Sequence, residues 1–324
     1  MLQQPQVRGG AGKLPAQWLL VFLLAALLCA PLRATTFYVT VAGIGGEPDF
    51  DQRFSGWAKD IDKALKSVAD SRSETLFGPA ATKAGIRTAL EKIGKDAKPQ
   101  DALVLMLIGH GSFDGSDYKI NLPGPDLSAI ELASILDRVP ATRQLVVNMT
   151  SSSGGSIDSL RREGRIVVSA TKGASEKNAT VFARYWVESL RDSSADTDKN
   201  DTLSALEAYK YADQKTAKFY ETQKRLATEH AVLEDSGKGE GVRAPGPENG
   251  QGMLAAAFPL VRLGANAAAA ANPEKLKLLA KKEDLEQQID RVKYQKAATP
   301  VEEYRRQLGA LLLELAKTQA ELDK

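Results

Sequence analysis

Cysteine is almost missing from this chain. One residue, Cys29, stands among 324, inside an apolar N-terminal stretch. A disulfide framework and a cysteine-ligated metal site are therefore excluded. Histidine is as scarce: His110 and His230 are the only two, too few for a multi-histidine metal centre. Charge of one sign is not in excess, since the formal balance is +2 and aromatics make up 6% of residues. The basic residues are scattered rather than clustered, which argues against a nucleic-acid partner. A membrane-spanning run is also lacking. Trp18–Leu28 is apolar for eleven residues, against the roughly 20 that a bilayer requires.

That short run belongs to a segment with the pattern of an export signal. Arg8 and Lys13 precede it, and the small residues Ala30 and Ala34 follow as cleavage points. Cleavage after Ala34 is the reading favoured here, and an uncleaved N-terminal anchor is the alternative. Bulky Leu28 before Cys29 disfavours a lipoprotein. Residues 1–34 carry three basic residues and no acidic one, so the remainder is formally −1 and free of cysteine. A periplasmic or secreted protein of this composition, with no membrane span after cleavage, has to be held together by core packing.

Strand and helix signals alternate from Thr36 to about Val261. The β-branched and aromatic stretch Thr36–Ala42 predicts a strand. Trp57, Ile61, Leu65 and Val68 recur at helical spacing within 54–68, and Thr82 offers an N-cap for a helix over 82–93. Ala102–Ile108 is continuously apolar, as in a strand covered on both faces. A helix over 127–139, stopped by Pro140, precedes a strand at 144–149; a further strand follows at 165–170, then helices over 178–190 and 203–233. The expected fold class is α/β, a mostly parallel sheet flanked by helices over residues 35–263.

Beyond Val261 the pattern changes. An Ala/Asn-rich linker is expected over 264–272, then an antiparallel helical hairpin over 273–324. Asn272-Pro273 and Thr299-Pro-Val-Glu302 open its two helices. Leu278, Leu285 and Val292 recur every seven residues, and Tyr304, Leu308, Leu311, Leu315 and Leu322 continue a coiled-coil-like seam. Such a hairpin packs on its own domain, contacts another protein, or self-associates.

Ligands of open parallel sheets bind beyond the carboxyl ends of the strands. Two stretches stand there: Gly109-His110-Gly111-Ser112, and Asn148-Met-Thr150-Ser151-Ser152-Ser153-Gly154-Gly155. A histidine after one strand and a nucleophile-bearing turn after the next suit acyl transfer, with backbone N–H groups at Gly111 and the turn as oxyanion donors. Asp114 and Asp117 are candidate orienting acids. With Ile-Gly-His-Gly-Ser, a second strand about forty residues later and a following Ser-Gly-Gly, residues 36–261 resemble the legumain/caspase-type cysteine peptidases.

The resemblance implies a caspase/legumain-like sheet, a cleft that holds a peptide or protein partner, and a catalytic pair at His110 and Ser151, with Thr150 as the alternative register. It also implies that Arg53 and Ser153 line the substrate site. Oxygen, however, stands where that family carries a thiolate. A free thiol has a pKa of about 8.5 that an imidazolium lowers. A serine needs a histidine in direct contact, oriented by a carboxylate. The expected protein is a degenerate peptidase acting as a binding or scaffold module. The alternative is a serine hydrolase using Ser151 or Thr150 with His110. Gly43-x-Gly-Gly46 lacks the full spacing of a dinucleotide fingerprint.

A separate pattern runs from Asp196 to Glu207. Asp196, Asp198, Asn200, Thr202, Ser204 and Glu207 fall at positions 1, 3, 5, 7, 9 and 12, with apolar Leu203 at position 8. Those are the oxygen positions of an EF-hand calcium loop. Asp201 replaces the usual glycine and would need the left-handed conformation. The alternative is a solvated acidic loop in which Thr202 or Asp201 caps a helix that begins at Leu203. Calcium is the one cofactor expected.

Overall fold

The computed structural model describes residues 34–66, 68 and 71–324. All of the expected signal segment except Ala34 lies outside them. Two apolar strings set the centre of the fold. β1 (Thr36–Ala42) and β3 (Ala102–Ile108) pair in parallel, and every residue of β3 is buried. Between them run α1 (Pro48–Leu65), β2 (Ser71–Leu76) and α2 (Lys83–Asp96). After β3 come β4 (Gly111–Phe113), β5 (Tyr118–Ile120) and β6 (Leu127–Ser128), a small antiparallel sheet, then α3 (Ala129–Leu136). β7 (Arg143–Asn148), α4 (Ile157–Leu160), β8 (Arg165–Ser169) and α5 (Phe182–Ser189) follow. The chain continues through β9 (Thr202–Ser204), α6 (Ala205–Thr222), β10 (Val232–Glu234), α7 (Met253–Ala256) and β11 (Pro259–Arg262). It closes with α8 (Gly264–Ala270), α9 (Leu276–Tyr294) and α10 (Val301–Leu322).

The main sheet has the order β2-β1-β3-β7-β8-β10. Its first five strands are parallel, and β10 is antiparallel to β8. Alternation along β3 divides the core. Val104, Met106 and Ile108 pack with Phe54, Ile61, Phe182 and Trp186 from α1 and α5. Leu103, Leu105 and Leu107 pack with Ile86, Leu90, Leu132 and Leu136 from α2 and α3. Each fully buried leucine of this kind contributes about 1.5–3 kcal/mol. The expected α/β class, a mostly parallel sheet between helices plus a C-terminal helical hairpin, is the observed one. Residues Thr35–Lys324 form one compact unit.

Several boundaries differ from the sequence reading. The helix expected over 203–233 stops at Thr222, Lys224 turns left-handed at φ 52°, and Val232–Glu234 becomes the sheet edge. Val232 and Leu233 bury themselves against β8, which outweighs their helical spacing. The polar strand β2, Ser-Arg-Ser-Glu-Thr-Leu, has no apolar alternation to announce it because it lies at the other edge. The helix expected from Asn178 begins at Phe182. There the Glu229 carboxylate accepts from Val181 N (2.7 Å) and Phe182 N (3.1 Å), a cap supplied from far along the chain.

The expected linker, 264–272, is mostly helical. Alanine favours the helix, and Asn266 anchors it through bonds to Asn200 O and Thr202 Oγ1, both 2.9 Å. α9 and α10 run antiparallel, tied by Lys275 Nζ to Leu322 O (2.6 Å) and by Lys281 with Glu314 (2.6 Å). The buried face of α9 is Leu279, Lys282, Leu285 and Ile289, so of the predicted Leu278, Leu285 and Val292 only Leu285 is fully covered.

Candidate functional site

Because β3 and β7 are parallel neighbours, their carboxyl ends open on the same side. His110–Gly111 and the Thr150–Ser153 turn are thereby brought into contact, which their sequence separation does not by itself require. Gly111 N donates to Ser151 Oγ at 3.0 Å, and Ser151 Oγ donates to Gly111 O at 3.0 Å. A Cβ at Gly111 would stand 2.5 Å from Ser151 O and from the Tyr118 ring. Only glycine permits this approach.

The hydroxyls of the turn are largely committed. Thr150 Oγ1 donates to Asn148 Oδ1 (2.8 Å) and lies 2.5 Å from Tyr118 OH. Burial pushes the Tyr118 phenol up to about 12, so it stays protonated. Ser153 Oγ accepts from Ser169 Oγ (2.8 Å) and Thr171 N (3.2 Å). Thr150, Ser151, Ser152 and Ser153 are all buried. Ser152 differs from its neighbours: its backbone is left-handed at φ 56°, and its buried hydroxyl has no hydrogen-bond partner among the described residues.

His110 faces another way. Its half-buried ring packs edge-on against Phe50 (4.8 Å between centroids) and Phe54 (5.2 Å) on α1. Burial lowers its pKa and the Arg53 charge adds to this, opposed by a backbone bond at Gly45 and by Asp51 and Glu47. The imidazole is therefore neutral near pH 7. Arg53 lies over the Phe50 ring (4.4 Å) and pairs with Asp49 (2.7 Å), which puts it beside the histidine. Asp114 is engaged by Lys119 and by the N–H groups of Ser116 and Asp117, inside the β4–β5 turn. The acids that face His110 are instead Asp51 and Glu47, on and before the first turn of α1.

A second histidine stands behind the turn. His230 Nδ1 lies 2.5 Å from Glu176 Oε1, and His230 N donates to Glu176 Oε2 at 3.1 Å. Glu176 O accepts from Ser152 N (2.8 Å). Its loop thus crosses the serine turn, where Gly154 N also donates to Thr171 Oγ1 (2.8 Å). No local pattern announced the Glu176–His230 pair, because its partners are 54 residues apart.

The acidic loop folds around its own oxygens. Carboxylate oxygens of Asp196, Asp198 and Glu207 lie within 4.8 Å of one another. Asp201 is left-handed at φ 62°, the conformation expected where a glycine usually stands. Leu203 pairs antiparallel with Val261, so β11 supplies the loop with a strand neighbour. Ser204 caps α6 in a capping box with Glu207, whose Oε2 accepts from Ser204 N (3.0 Å) and whose Oε1 accepts from Thr197 N (2.8 Å). The cap expected at Thr202 or Asp201 stands instead at Ser204, because Thr202–Ser204 is drawn into strand β9 against β11 and the helix begins only at Ala205.

Helix α9 adds charges that the loop pattern did not include. A cleft of about 170 Å³ is lined by Asp198, Ser204, Glu207, Glu286 and Asp290, among others. Desolvation first, then the Glu207 charge, pushes the Asp198 carboxyl up to about 6, although the residue as a whole is exposed. Burial, opposed by the Lys282 charge and reinforced by the like charge of Asp198, pushes Glu286 up to about 7. Lys282 is buried and donates to Asn200 O (2.9 Å) and Asn266 Oδ1 (3.1 Å), fastening α9 to the loop.

No family model matches this chain, and no curated protein does. Among solved structures it is similar to the Drosophila initiator caspase Dronc, at 8% identity and a TM-score of 0.44, over 75% of this chain and 94% of that one. It is also similar to protein GSU0716 from Geobacter sulfurreducens, at 13% identity and a TM-score of 0.43, over 72% and 100% of the two chains. Raptor from Chaetomium thermophilum gives 9% identity and a TM-score of 0.35, over 48% of this chain and 18% of that one. Among the described residues no helix is long and apolar enough to cross a membrane.

Proposed function

We propose that the protein is an exported, peptidase-like binding module that does not hydrolyse peptides. The observation that carries this reading is the closed pair between Ser151 and Gly111. Attack on a carbonyl needs a hydroxyl with its proton directed at a base, and a free N–H to receive the oxyanion. Here the Gly111 N–H is spent on Ser151 Oγ and the Ser151 proton on Gly111 O. The His110 ring meanwhile rests on Phe50, Phe54 and the Gly45 backbone. The face formed by His110, Gly111, Arg53 and the Thr150–Ser153 turn is the place where a peptide segment would lodge.

A fluorophosphonate probe tests this directly. The expected result is no labelling. Labelling that disappears in Ser151→Ala would establish a serine hydrolase and end the proposal. Ser151→Cys restores the softer, more acidic nucleophile. Peptide cleavage gained by that variant would support the placement of Ser151 at the cysteine position.

A second reading concerns calcium. Three convergent carboxylates, a left-handed Asp201 and the oxygen spacing of 196–207 support a bound Ca²⁺ held by Asp196, Asp198, Asn200, Thr202, Ser204 and Glu207. Its role would be bracing: the ion would neutralise a crowded cluster that also abuts α9. Chelation is expected to lower the melting midpoint.

A further inference from the structure

We propose that the outward face of α10 is a self-association surface that takes a second copy of this chain in antiparallel register. This inference does not depend on the peptidase-like reading or on calcium. α10 is apolar on two opposite sides. Tyr304, Leu308, Leu311, Leu315, Thr318 and Leu322 form the side that is half-buried or buried. Gly309, Leu313, Ala316 and Ala320 form the other, and all four are exposed. Leu313 is 59% exposed, and Leu312 beside the stripe is 47% exposed. A lone exposed leucine is ordinary. A second apolar stripe at 4-3-4 spacing is not, because a helix that covers a domain keeps one such stripe and leaves its far side polar.

Charge decides the occupant. The stripe is bounded in the same heptad frame by Arg306 at one end and Asp323 at the other. Both are exposed: Arg306 pairs with Glu303 in its own helix, and Asp323 accepts from Gln319 Nε2 (2.8 Å). Two such helices packed in parallel would set Arg306 against Arg306 and Asp323 against Asp323. Packed antiparallel, Arg306 of each copy meets Asp323 of the other, and Glu303 comes to flank Lys324. Gly309 then faces Ala320 and Leu313 faces Ala316, so a large side chain meets a small one at the centre. This surface is complementary to itself, which is the requirement of a two-fold dimer. The apolar stripe from Gly309 to Ala320 runs about 18 Å at 1.5 Å per residue, a small interface, so the dimer is weak and concentration dependent.

Sedimentation equilibrium of the purified protein, from about 5 to about 500 μM, reads the association directly. Weight-average mass is expected to climb toward twice the monomer value. Leu313→Glu is expected to remain monomeric throughout with an unchanged thermal melt. Arg306→Asp alone and Asp323→Arg alone should each weaken association about tenfold or more, while the double exchange restores it by re-forming the pairs in reverse. A wild-type protein that stays monomeric to the highest concentration overturns the proposal. So does association of Leu313→Glu equal to wild type, or a double exchange no tighter than the single variants.

Discussion

Calcium removal should act through a small number of identified groups. Without the ion, Asp196, Asp198 and Glu207 hold like charges within 4.8 Å, and Asp290 and Glu286 line the same cleft. The folded-state pKa of Asp198 is raised to about 6 and that of Glu286 to about 7, both above ordinary carboxylate values. A carboxylic acid whose pKa is raised on folding contributes less to stability as pH rises from its unfolded value through its folded one. The calcium-free protein is therefore least favoured at neutral pH, where the ion has most repulsion to relieve. A ligand present at 100 times its dissociation constant stabilises by about 2.7 kcal/mol. For the compact unit Thr35–Lys324, unfolding entropy of about 2.1 cal/mol/K per residue turns that into a shift of about 4 °C. Scanning calorimetry with excess calcium and with chelator measures it. The full difference is expected at pH 7.5, and much less at pH 5, where protons compete for Asp198. Asp198→Asn isolates the cause: with chelator its midpoint should equal or exceed that of the wild type, and calcium should no longer raise it. Coincident wild-type melts with and without calcium at pH 7.5 would refute the reasoning. So would an Asp198→Asn variant whose calcium shift is undiminished.

Two further outcomes follow from buried groups elsewhere. Gly111→Ala places a methyl 2.5 Å from Ser151 O and the Tyr118 ring, so denaturant titration should show a loss of about 1–3 kcal/mol. Desolvation raises Glu229 to about 7 while it caps α5. Its contribution falls as pH rises from about 4.5 through 7, and Glu229→Gln should flatten the decline in melting midpoint between pH 5 and pH 8, measured with calcium present.

The sheet was legible because its strands are buried on both faces, so Ala102–Ile108, Gln144–Met149 and Arg165–Ala170 carry their burial in composition. The edges were not. β2 is polar, and β10 follows a left-handed Lys224 inside a stretch with helical spacing. His110 and the serine turn were readable as strand-end residues, and the oxygen spacing of 196–207 was readable as a loop. Glu176–His230 and the Glu286–Asp290 face were not readable, since their partners come from remote segments with no shared period.

Sequence alone determined which atoms are available: oxygen rather than sulfur at residue 151, two histidines in all, and six oxygen-bearing residues at calcium-loop spacing. Tertiary structure alone decided how those atoms are spent. Hydrogen bonds and ring contacts depend on distances of a few ångströms between segments that the chain brings together only by folding. That is why Ser151 is bound to Gly111 while the ring of His110 rests on two phenylalanines.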